Sequence, residues 1–335
     1  MGVALREILV DYKVSVTWET LGGIAAVDAH NALYQFLSII RQPDGTPLMD
    51  SRGRVTSHLS GILFRTANFI EKGIRPIFVF DGKPPDFKEE TIEQRRAVRK
   101  EAGERWRQAL EQGDVEEAYR QARSSSRIDD EVIKTSKALL KLMGLPFVDA
   151  PSEGEAQAAY MVREGEAQYV VSQDYDTLLF GAPVLVRNLA VSGKRRMRGR
   201  TVTVSPERLL LPDILNGLSI SRQDLIRLAI LVGTDFNPGA RGIGAKTALK
   251  VVRQGEFDRV AEEKMPGTDT EKILDFFENP PVTNDYSLEW GPPDEDAITG
   301  MLCDDFDFSP ERVRRSLEGL KVTGKIGRAS CRERV

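Results

Sequence analysis

The chain has 335 residues, of which 41% are hydrophobic and 29% charged, so it can form one large folded domain or two small ones and is not disordered throughout. No apolar run reaches the ~18 residues of a membrane span, and the N-terminus resembles neither a signal peptide nor a myristoylation motif. The net charge of −4 argues weakly against nucleic-acid binding, although acids and bases clustered apart would also sum near zero.

The numbers of cysteines and histidines limit which disulfides and metal sites the chain can form. The chain has two cysteines, two histidines and no CxxC pair, so we expect neither a disulfide framework nor a zinc site. Such low cysteine usage suits a reducing cytoplasm.

The first part of the chain predicts two buried strands that each end in an aspartate. One apolar run, Gly23–Ala29, ends around Asp28 and precedes a predicted helix over Asn31–Ile40. The other run, Arg75–Phe80, is followed at once by Asp81. Strands separated by helices favour a βαβ arrangement, which brings both aspartates to one edge of a parallel sheet. Taken alone, an aspartate at the end of a strand is more often a helix cap or a turn former than a ligand.

Residues 83–127 are rich in charge and helix formers and poor in apolar periodicity. We predict two helices here, with a break near residues 112–114. Arg95 and Arg99 are four residues apart and share one helix surface. Because acids nearly match bases in number, two interpretations stay open: a solvated excursion held by salt bridges, or an arm that handles a polyanion.

Two helix starts, one before this charged segment and one after it, carry capping signals. Thr56 or Ser57 can cap one helix, and Ser152-x-x-Glu155 fits a capping box that would explain Glu155 structurally. Glu153 has no such explanation. Both glutamates open a helix after a short predicted strand, which places them at the same sheet edge as the aspartates.

The segment SQDYDTLLF adds Asp174 and Asp176 just after a predicted strand over Ala167–Val171. Ligands of open α/β sheets collect outside the carboxyl ends of the strands, so these acids also belong to that edge. Beyond a further strand at Val184–Asn188, the stretch Gly193–Arg200 has five basic residues in eight. It is either an exposed turn or a hairpin that faces DNA.

A glycine-rich turn separates two predicted helices later in the chain. The first helix, Ser221–Leu231, is followed by Asp235 and then by the turn Gly239–Gly244. Backbone N–H groups in such a turn, together with a helix N-terminus, favour a phosphate. The same pattern also builds tight helical hairpins, but Lys246 and Lys250 on the second helix favour a contact with a DNA backbone.

Acids converging on one sheet edge would repel one another and shift several pKa values. No basic segment beside them suffices to neutralise them, and oxygen ligands select Mg²⁺ or Mn²⁺ over zinc. Two such ions about 4 Å apart suit an in-line displacement at phosphorus. The candidate metal ligands are Asp28, Asp81, Glu153, Glu155, Asp174, Asp176 and Asp235.

Seven motifs run in order between residues 27 and 249: VDAHNALYQFL, TSHLSGILFRT, PIFVFDGKPP, APSEGEAQAAYM, SQDYDTLLFG, LVGTDFNPG and RGIGAKTAL. They resemble the motif series of the flap endonucleases, particularly the archaeal ones, and the resemblance extends from Gly2 to about Val322. The resemblance implies a metal-dependent nuclease that cleaves 5′ flaps of branched DNA during Okazaki fragment processing and repair, with 5′–3′ exonuclease activity. It implies an α/β fold: a doubly wound, mostly parallel sheet with helices on both faces, a helical arch and a helix–two-turn–helix element.

The resemblance also predicts how the chain is organised. We expect one nuclease domain over residues 1–322, followed by a disordered or non-native tail over 323–335. The expected parts of the domain are an N-terminal nuclease region at 1–98, the arch at 83–127, an internal nuclease region at 146–260 and the helix–two-turn–helix element at 222–253.

Residue roles follow from the same resemblance. The seven acids would hold two Mg²⁺ ions, which Mn²⁺ can replace, and Lys83 and Arg95 match cations that hold the scissile phosphate. Lys88 would help admit the flap, and Tyr34 would either stack on a base or pack on its own helix. The glycine turn resembles an element that grips duplex DNA, often with a monovalent cation. The residues expected to contact DNA are Gly2, Tyr34, Thr56, Lys88, Arg95, Lys194, Arg195, Gly242, Gly244, Lys246 and Lys250.

The chain departs from the family pattern at its end. Flap endonucleases usually finish in a motif with a glutamine and paired aromatics that binds a sliding clamp, whereas no aromatic follows Leu320 here. Clamp binding by this chain therefore stays open. The resemblance implies a cytoplasmic, nucleoid-associated protein of an archaeal-type cell, with no membrane partner.

Alternatives to flap cleavage also stay open. A related 5′–3′ exonuclease or Holliday-junction resolvase would share the seven acids, although the moderate length and the charged arm favour flap cleavage. A non-catalytic protein that binds branched DNA would use the acids as a structural cation site. A ribonuclease of the wider fold family would need only a smaller acidic cluster, and the arm and the glycine turn count against it.

Overall fold

The computed structural model describes residues 3–42, 44–112, 114, 117, 120–122, 126–189, 193–197 and 200–320. Its strands are β1 (Val14–Ser15), β2 (Gly23–Asp28), β3 (Ile74–Phe80), β4 (Phe147–Asp149), β5 (Tyr169–Val171), β6 (Val184–Arg187), β7 (Gly193–Met197), β8 (Arg200–Val204) and β9 (Glu207–Leu210). Seven of them form one sheet in the order β1-β9-β6-β5-β2-β3-β4. The five strands from β6 to β4 in this order are parallel, and β9 runs antiparallel to both β6 and β1. The predicted mostly parallel sheet is confirmed.

Helices cover both faces of this sheet. The α-helices are α1 (Arg6–Leu9), α2 (Ala29–Ile39), α3 (Ser57–Glu71), α4 (Glu89–Glu111), α5 (Asp130–Leu142), α6 (Gly154–Arg163), α7 (Asp176–Leu179), α8 (Leu211–Leu218), α9 (Arg222–Val232), α10 (Ala245–Arg253), α11 (Phe257–Lys264), α12 (Thr270–Glu278), α13 (Glu295–Thr299) and α14 (Pro310–Leu320).

Alternate residues of each central strand face two separate cores. In β2, Ala26 belongs to the core that includes α6, α9 and α10, whereas Ala25 and Val27 belong to the core that includes α2, α3, α5 and α14. A parallel sheet needs both faces covered, and this sequence supplies two sets of apolar helix stripes for that purpose. The carboxyl ends of the strands are left as the edge where polar groups can collect.

Two predicted segments fold differently from expectation. The basic stretch, for which an exposed turn and a hairpin both stayed open, contains β7, which pairs antiparallel with β8 from Gly193 opposite Val204 to Met197 opposite Arg200. It is therefore a hairpin strand rather than only a turn, because a ladder requires paired backbone groups and not apolar side chains. The strand predicted to reach Asn188 ends one residue earlier, because Asn188 has a φ of +63°.

The arm begins as predicted, since α4 runs unbroken through its first half. Most of the second helix predicted for the arm falls on residues outside the described ranges, and so does the tail after residue 320. The predicted helix–two-turn–helix element corresponds to α9 and α10 with the turns between them. Within the described part of the chain, no helix is both long and apolar enough to cross a membrane.

Candidate active site

The carboxyl edge of the parallel strands carries most of the predicted acids. Asp28 is the last residue of β2, and Asp81 directly follows β3. A short turn leads from β4 to Glu153 at the start of α6, while β5 leads to Asp174 and Asp176. Because these strands are neighbours in the sheet, acids that are distant in the sequence become adjacent in space.

Asp235 reaches the same site from outside the sheet. Helix α9 ends at Gly233, whose φ of +104° turns the chain out of the helix. The side chain of Asn237 then donates to the carbonyl of Ile230 at 2.8 Å and accepts from the hydroxyl of Thr234 at 2.8 Å. This buried amide fixes the turn that carries Asp235.

Ser172 links two of the acids. Its hydroxyl oxygen lies 3.0 Å from Asp28 Oδ2 and 3.2 Å from Glu155 Oε1. Asp28 also accepts the backbone N–H of Asn31 at 2.9 Å and so acts as the N-cap of α2. The two interpretations of Asp28 are therefore compatible: one carboxylate oxygen caps the helix, and the other faces the acidic edge.

Two predicted helix caps are wrong. Glu153 rather than Ser152 stands at the N-cap of α6, where no side chain caps the helix, so Glu155 is not part of a capping box. Thr56 stands at the N-cap of α3 without a side-chain cap, and the hydroxyl of Ser57 bonds backbone groups of the preceding loop at 2.6 and 3.0 Å. In both places the hydroxyl pattern was present, but tertiary contacts gave the side chains other partners.

The segment with the paired aspartates is held from two sides. Asn31 Nδ2 donates to Asp174 Oδ2 at 2.9 Å, and Asn31 Oδ1 accepts the backbone N–H of Gln173 at 3.2 Å. Asp176 Oδ1 accepts the backbone N–H of Val3 at 2.7 Å. The N-terminal segment therefore contacts the acidic edge directly.

Asp81 is fixed by the backbone of a neighbouring element. Its Oδ1 accepts the N–H of Gly154 at 2.7 Å, and a Cβ at position 154 would lie 2.8 Å from the same oxygen. Glycine is required here because only its backbone can approach the carboxylate so closely. His30 Nδ1 lies 3.1 Å from the backbone nitrogen of Asp81 and 3.3 Å from its Oδ2, so an imidazole also borders the site.

Lys88 is the cation that the structure inserts among the acids. Its Nζ lies 2.6 Å from Glu153 Oε2 and 3.7 Å from Asp235 Oδ2, and its side chain is only 13% exposed. Burial alone would lower the pKa of Lys88, but the charges of Glu153 and Asp235 outweigh it and raise that pKa. The neighbouring Phe87 ring packs 5.3 Å from the rings of both Phe236 and Phe276, which anchors the base of the arch. Lys88 therefore remains charged and fixed.

Burial and mutual repulsion raise the pKa values of the innermost acids. Burial, followed by the charge of Asp81, raises the pKa of Asp28 to about 8. Burial and the charge of Asp235 raise the pKa of Asp176 to about 7. Burial also raises the pKa of Glu155 well above its usual range, with the charges of Asp176 and Asp28 next in importance. The site holds more negative charge than its own cation neutralises.

The chemistry of the donor set fits a hard divalent cation. In the described ranges, no three His, Cys, Asp or Glu side chains are already gathered into a closed ligand cluster. The acids instead accept hydrogen bonds from the serine, asparagine, lysine and backbone groups described above. All seven nevertheless supply oxygen, and the raised pKa values show a repulsion that a hard dication would relieve.

The structure places several of the predicted DNA contacts on accessible surface. Lys246 and Lys250 are exposed on α10, and a Cβ added at Gly242 or Gly244 would meet no atom within 4 Å. Thr56 is only 4% exposed, which leaves its side chain little surface for DNA. Tyr34 is half-buried on α2.

Not every predicted site residue lies among the acids. Lys83, two residues after Asp81, is exposed, whereas the side chain of Lys88 is largely buried. Gly2 and the side chains of Arg95, Lys194 and Arg195 lie outside the described residues.

Sequence reasoning missed three residues at the site: Asn31, Ser172 and His30. Each bonds an acid from an element distant in sequence, for example Asn31 with Asp174 across 143 positions. Asn31 and Ser172 do stand beside predicted acids in the motifs VDAHN and SQDYD, and that proximity was the available signal.

Comparison with known proteins finds relatives of this chain in both sequence and structure. The XPG N-terminal domain matches residues 1–102, and the XPG I-region matches residues 144–235. A protein of Methanoregula boonei named flap endonuclease 1 is 65% identical over 98% of both chains, and one of Pyrococcus furiosus is 52% identical over 99% of this chain and 98% of its own. The solved structure of flap endonuclease-1 from Methanococcus jannaschii is 40% identical, with a TM-score of 0.76 over 93% of this chain and 96% of its own.

Proposed function

Because the chain belongs to the flap endonuclease family and is a structure-specific 5′ flap endonuclease of DNA replication and repair, we propose that it hydrolyses its phosphodiester with two divalent ions held at the acidic edge. The observation that carries this proposal is the set of acids that the ends of neighbouring strands bring together at one buried sheet edge. A protein keeps such an unfavourable arrangement where it serves a ligand or a reaction.

The ions we propose are Mg²⁺ in the cell, with Mn²⁺ as a substitute. When bound, such a pair lowers the pKa of a water and stabilises charge on the attacking and leaving oxygens. The residues we assign to hold them are Asp28, Asp81, Glu153, Glu155, Asp174, Asp176 and Asp235.

We assign the role of holding the scissile phosphate at the base of the arch to Lys88, in place of the Lys83 assignment based on sequence. Lys88 is buried between Glu153 and Asp235, whereas Lys83 is exposed. A fixed cation beside the acids lets a phosphate approach a site that is otherwise strongly negative. Arg95, about two turns beyond Lys88 and within α4, remains the second candidate for this role.

The helix–two-turn–helix element provides the duplex contact in this proposal. The open backbone at Gly242 and Gly244 and the exposed Lys246 and Lys250 form a surface suited to one strand of a DNA backbone. Such contacts position the duplex without reading its sequence, as a nuclease that recognises branch structure requires. A monovalent cation at this turn and contacts from the β7–β8 ribbon remain proposals, as does clamp binding by residues beyond 320.

A substrate comparison tests this function. A labelled double-flap substrate, a gapped duplex and a four-way junction of matched sequence are incubated with the protein, with and without Mg²⁺. We expect Mg²⁺-dependent release of the 5′ flap, with much slower cleavage of the other two substrates. Preferred cleavage of the gapped duplex would indicate an exonuclease, preferred symmetric cleavage of the junction would indicate a resolvase, and tight binding without cleavage would contradict the metal assignment.

A further inference from the structure

We propose that Arg187, the last residue of β6, is a positioning residue that holds Asp174 and Asp176 in place for the metal ions. The inference rests on the proposed metal site, because the two aspartates matter only if they are ligands. Arg187 itself touches neither the acids nor the reacting atoms; it acts through Gln173 and Tyr175, which flank Asp174 in the chain.

The contacts of Arg187 form a fork around the segment. Its Nε donates to the carbonyl of Gln173 at 3.0 Å, and its Nη1 donates to the hydroxyl of Tyr175. The guanidinium carbon also lies 4.2 Å from the centre of the Tyr175 ring. The planar guanidinium thus binds one backbone carbonyl and one phenol while stacking on the same aromatic ring, a combination that lysine cannot reproduce.

The opposite side of the same peptide segment is bound by Asn31. Its Oδ1 accepts the N–H of Gln173 at 3.2 Å, and its Nδ2 donates to Asp174 at 2.9 Å. Gln173 is therefore held through its N–H from α2 and through its carbonyl from β6. Asp174 thus lies between two held residues, Gln173 and Tyr175, and Asp176 directly follows the second of them.

This support has a clear physical purpose. Asp176 is only 4% exposed and has the carboxylates of Asp174 and Asp235 as charged neighbours. A short loop with two repelling carboxylates would relax away from its neighbours unless it were held. Glu207 Oε2, on β9, lies 3.7 Å from Arg187 Nη1 and 3.5 Å from Lys13 Nζ. Arg187 is therefore itself fixed by an ion pair with Glu207.

The test compares Arg187→Lys with the matched control Arg163→Lys. Arg163 also donates a guanidinium hydrogen bond to a backbone carbonyl, that of Phe180 at 2.9 Å, but it contacts no candidate ligand. Three quantities are measured for both variants: Mn²⁺ binding by electron paramagnetic resonance without DNA, the Mg²⁺ concentration for half-maximal single-turnover cleavage, and flap-DNA affinity in EDTA.

We expect Arg187→Lys to weaken Mn²⁺ binding and to raise the half-maximal Mg²⁺ concentration by roughly 10- to 100-fold, as is usual when support behind metal ligands is lost. The DNA affinity of Arg187→Lys in EDTA should match that of Arg163→Lys. The metal dependence of Arg163→Lys should match that of the unmodified protein. Tyr175→Phe, which removes only the phenol hydroxyl, should shift the metal dependence in the same direction by a smaller factor.

Each contrary outcome has a separate meaning. If Arg187→Lys and Tyr175→Phe both bind Mn²⁺ like the control, the positioning role is wrong even when the unmodified protein cleaves flaps. If Arg187→Lys lowers the unfolding temperature but leaves metal binding and metal dependence unchanged, Arg187 only stabilises the fold and the proposal is again wrong. If the unmodified protein shows no Mg²⁺-dependent cleavage at all, it is the proposed function that fails.

Discussion

The acidic sheet edge and the turn around Asp50 solve the problem of a buried carboxylate in opposite ways. Burial of Asp50 would raise its pKa, but hydrogen bonds from the backbone and guanidinium of Arg54 outweigh burial and lower it. At the sheet edge, Asp28 accepts hydrogen bonds from neutral groups and faces other acids, so its pKa rises to about 8. The acid paired with arginine stabilises a loop, whereas the excess negative charge of the sheet edge is the charge that the proposed metal ions would balance.

The comparison shows which buried acids deserve a functional assignment. Both Asp50 and Asp176 are less than a tenth exposed, so burial alone does not separate them. Their partners do, because an arginine satisfies the first and other acids surround the second. Substitutions at Asp176, Lys88, Asp50 and Asp28 each change one side of this contrast.

The largest effect is expected for Asp176→Asn. Losing one charge of a proposed metal ligand should slow flap cleavage by about 10³-fold or more, while binding of flap DNA in EDTA survives. Single-turnover cleavage and fluorescence anisotropy measure the two quantities. Asp174→Asn should have the same effects as Asp176→Asn. Full activity of either variant would contradict the two-metal assignment.

Lys88→Ala is expected to have the next largest effect. Its ammonium is the buried cation of the site, so its removal should slow single-turnover cleavage by about 10²-fold. Lys83→Ala serves as the control because it removes the same charge from an exposed position nearby, and its effect should be much smaller. Equal rates for the two variants would contradict the assignment to Lys88.

Asp50→Asn should affect stability rather than chemistry. The amide cannot accept the charged hydrogen bonds of Arg54 as the carboxylate does, so the midpoint of thermal unfolding should fall by a few degrees. The cleavage rate of the folded protein should stay close to that of the unmodified chain. A large loss of rate without a loss of stability would remove the distinction between the two regions.

The stability of the metal-free protein should depend on pH in a direction set by the acidic edge. The pKa of Asp28 rises from 3.8 to about 8 and that of Asp176 from 3.8 to about 7, so between pH 4 and pH 8 the folded state keeps protons that the unfolded state releases. The free energy of unfolding therefore falls as pH rises through this range.

Thermal unfolding in EDTA at pH 5 and pH 8 measures this dependence. Asp28→Asn should reduce the loss between the two pH values, and Mg²⁺ should reduce it in the unmodified protein. A loss of stability that is identical in the variant would contradict the raised pKa of Asp28.

The smallest effect is expected for Lys246→Ala, outside both regions. Loss of one phosphate contact should weaken duplex binding modestly and reduce the slope of log K against log salt by about 1. Titrations at several salt concentrations measure the slope. Lys264→Ala, which removes an exposed lysine from α11, is the matched control.

Much of this architecture was predictable because its signals are local. Buried parallel strands form continuous apolar runs, so the ends of β2 and β3, and with them Asp28 and Asp81, could be found from the sequence. The glycine-rich turn before α10 was equally visible. Strand order then brings the acids together without further information.

Other features of the site could not be predicted, because they depend on contacts between residues that are far apart in the sequence. Glu155 fits a capping box locally, but Ser172, 17 residues away, is its actual partner. Lys83 and Lys88 look alike in sequence, and only packing of the neighbouring Phe87 decides which ammonium is buried. The side chain of a lysine reaches several positions, so spacing alone does not identify its partner.

The packing of Phe87 makes the arch modular. Its ring is fixed between Phe236 and Phe276, so the residue that precedes Lys88 is anchored to the globular body rather than to the helix that follows. Helix α4 begins only at Glu89. Changes in the length of the arch beyond Arg95 should therefore leave Lys88 in register with the acids. The remainder of the arch can in this way vary while the cation at its base keeps its position.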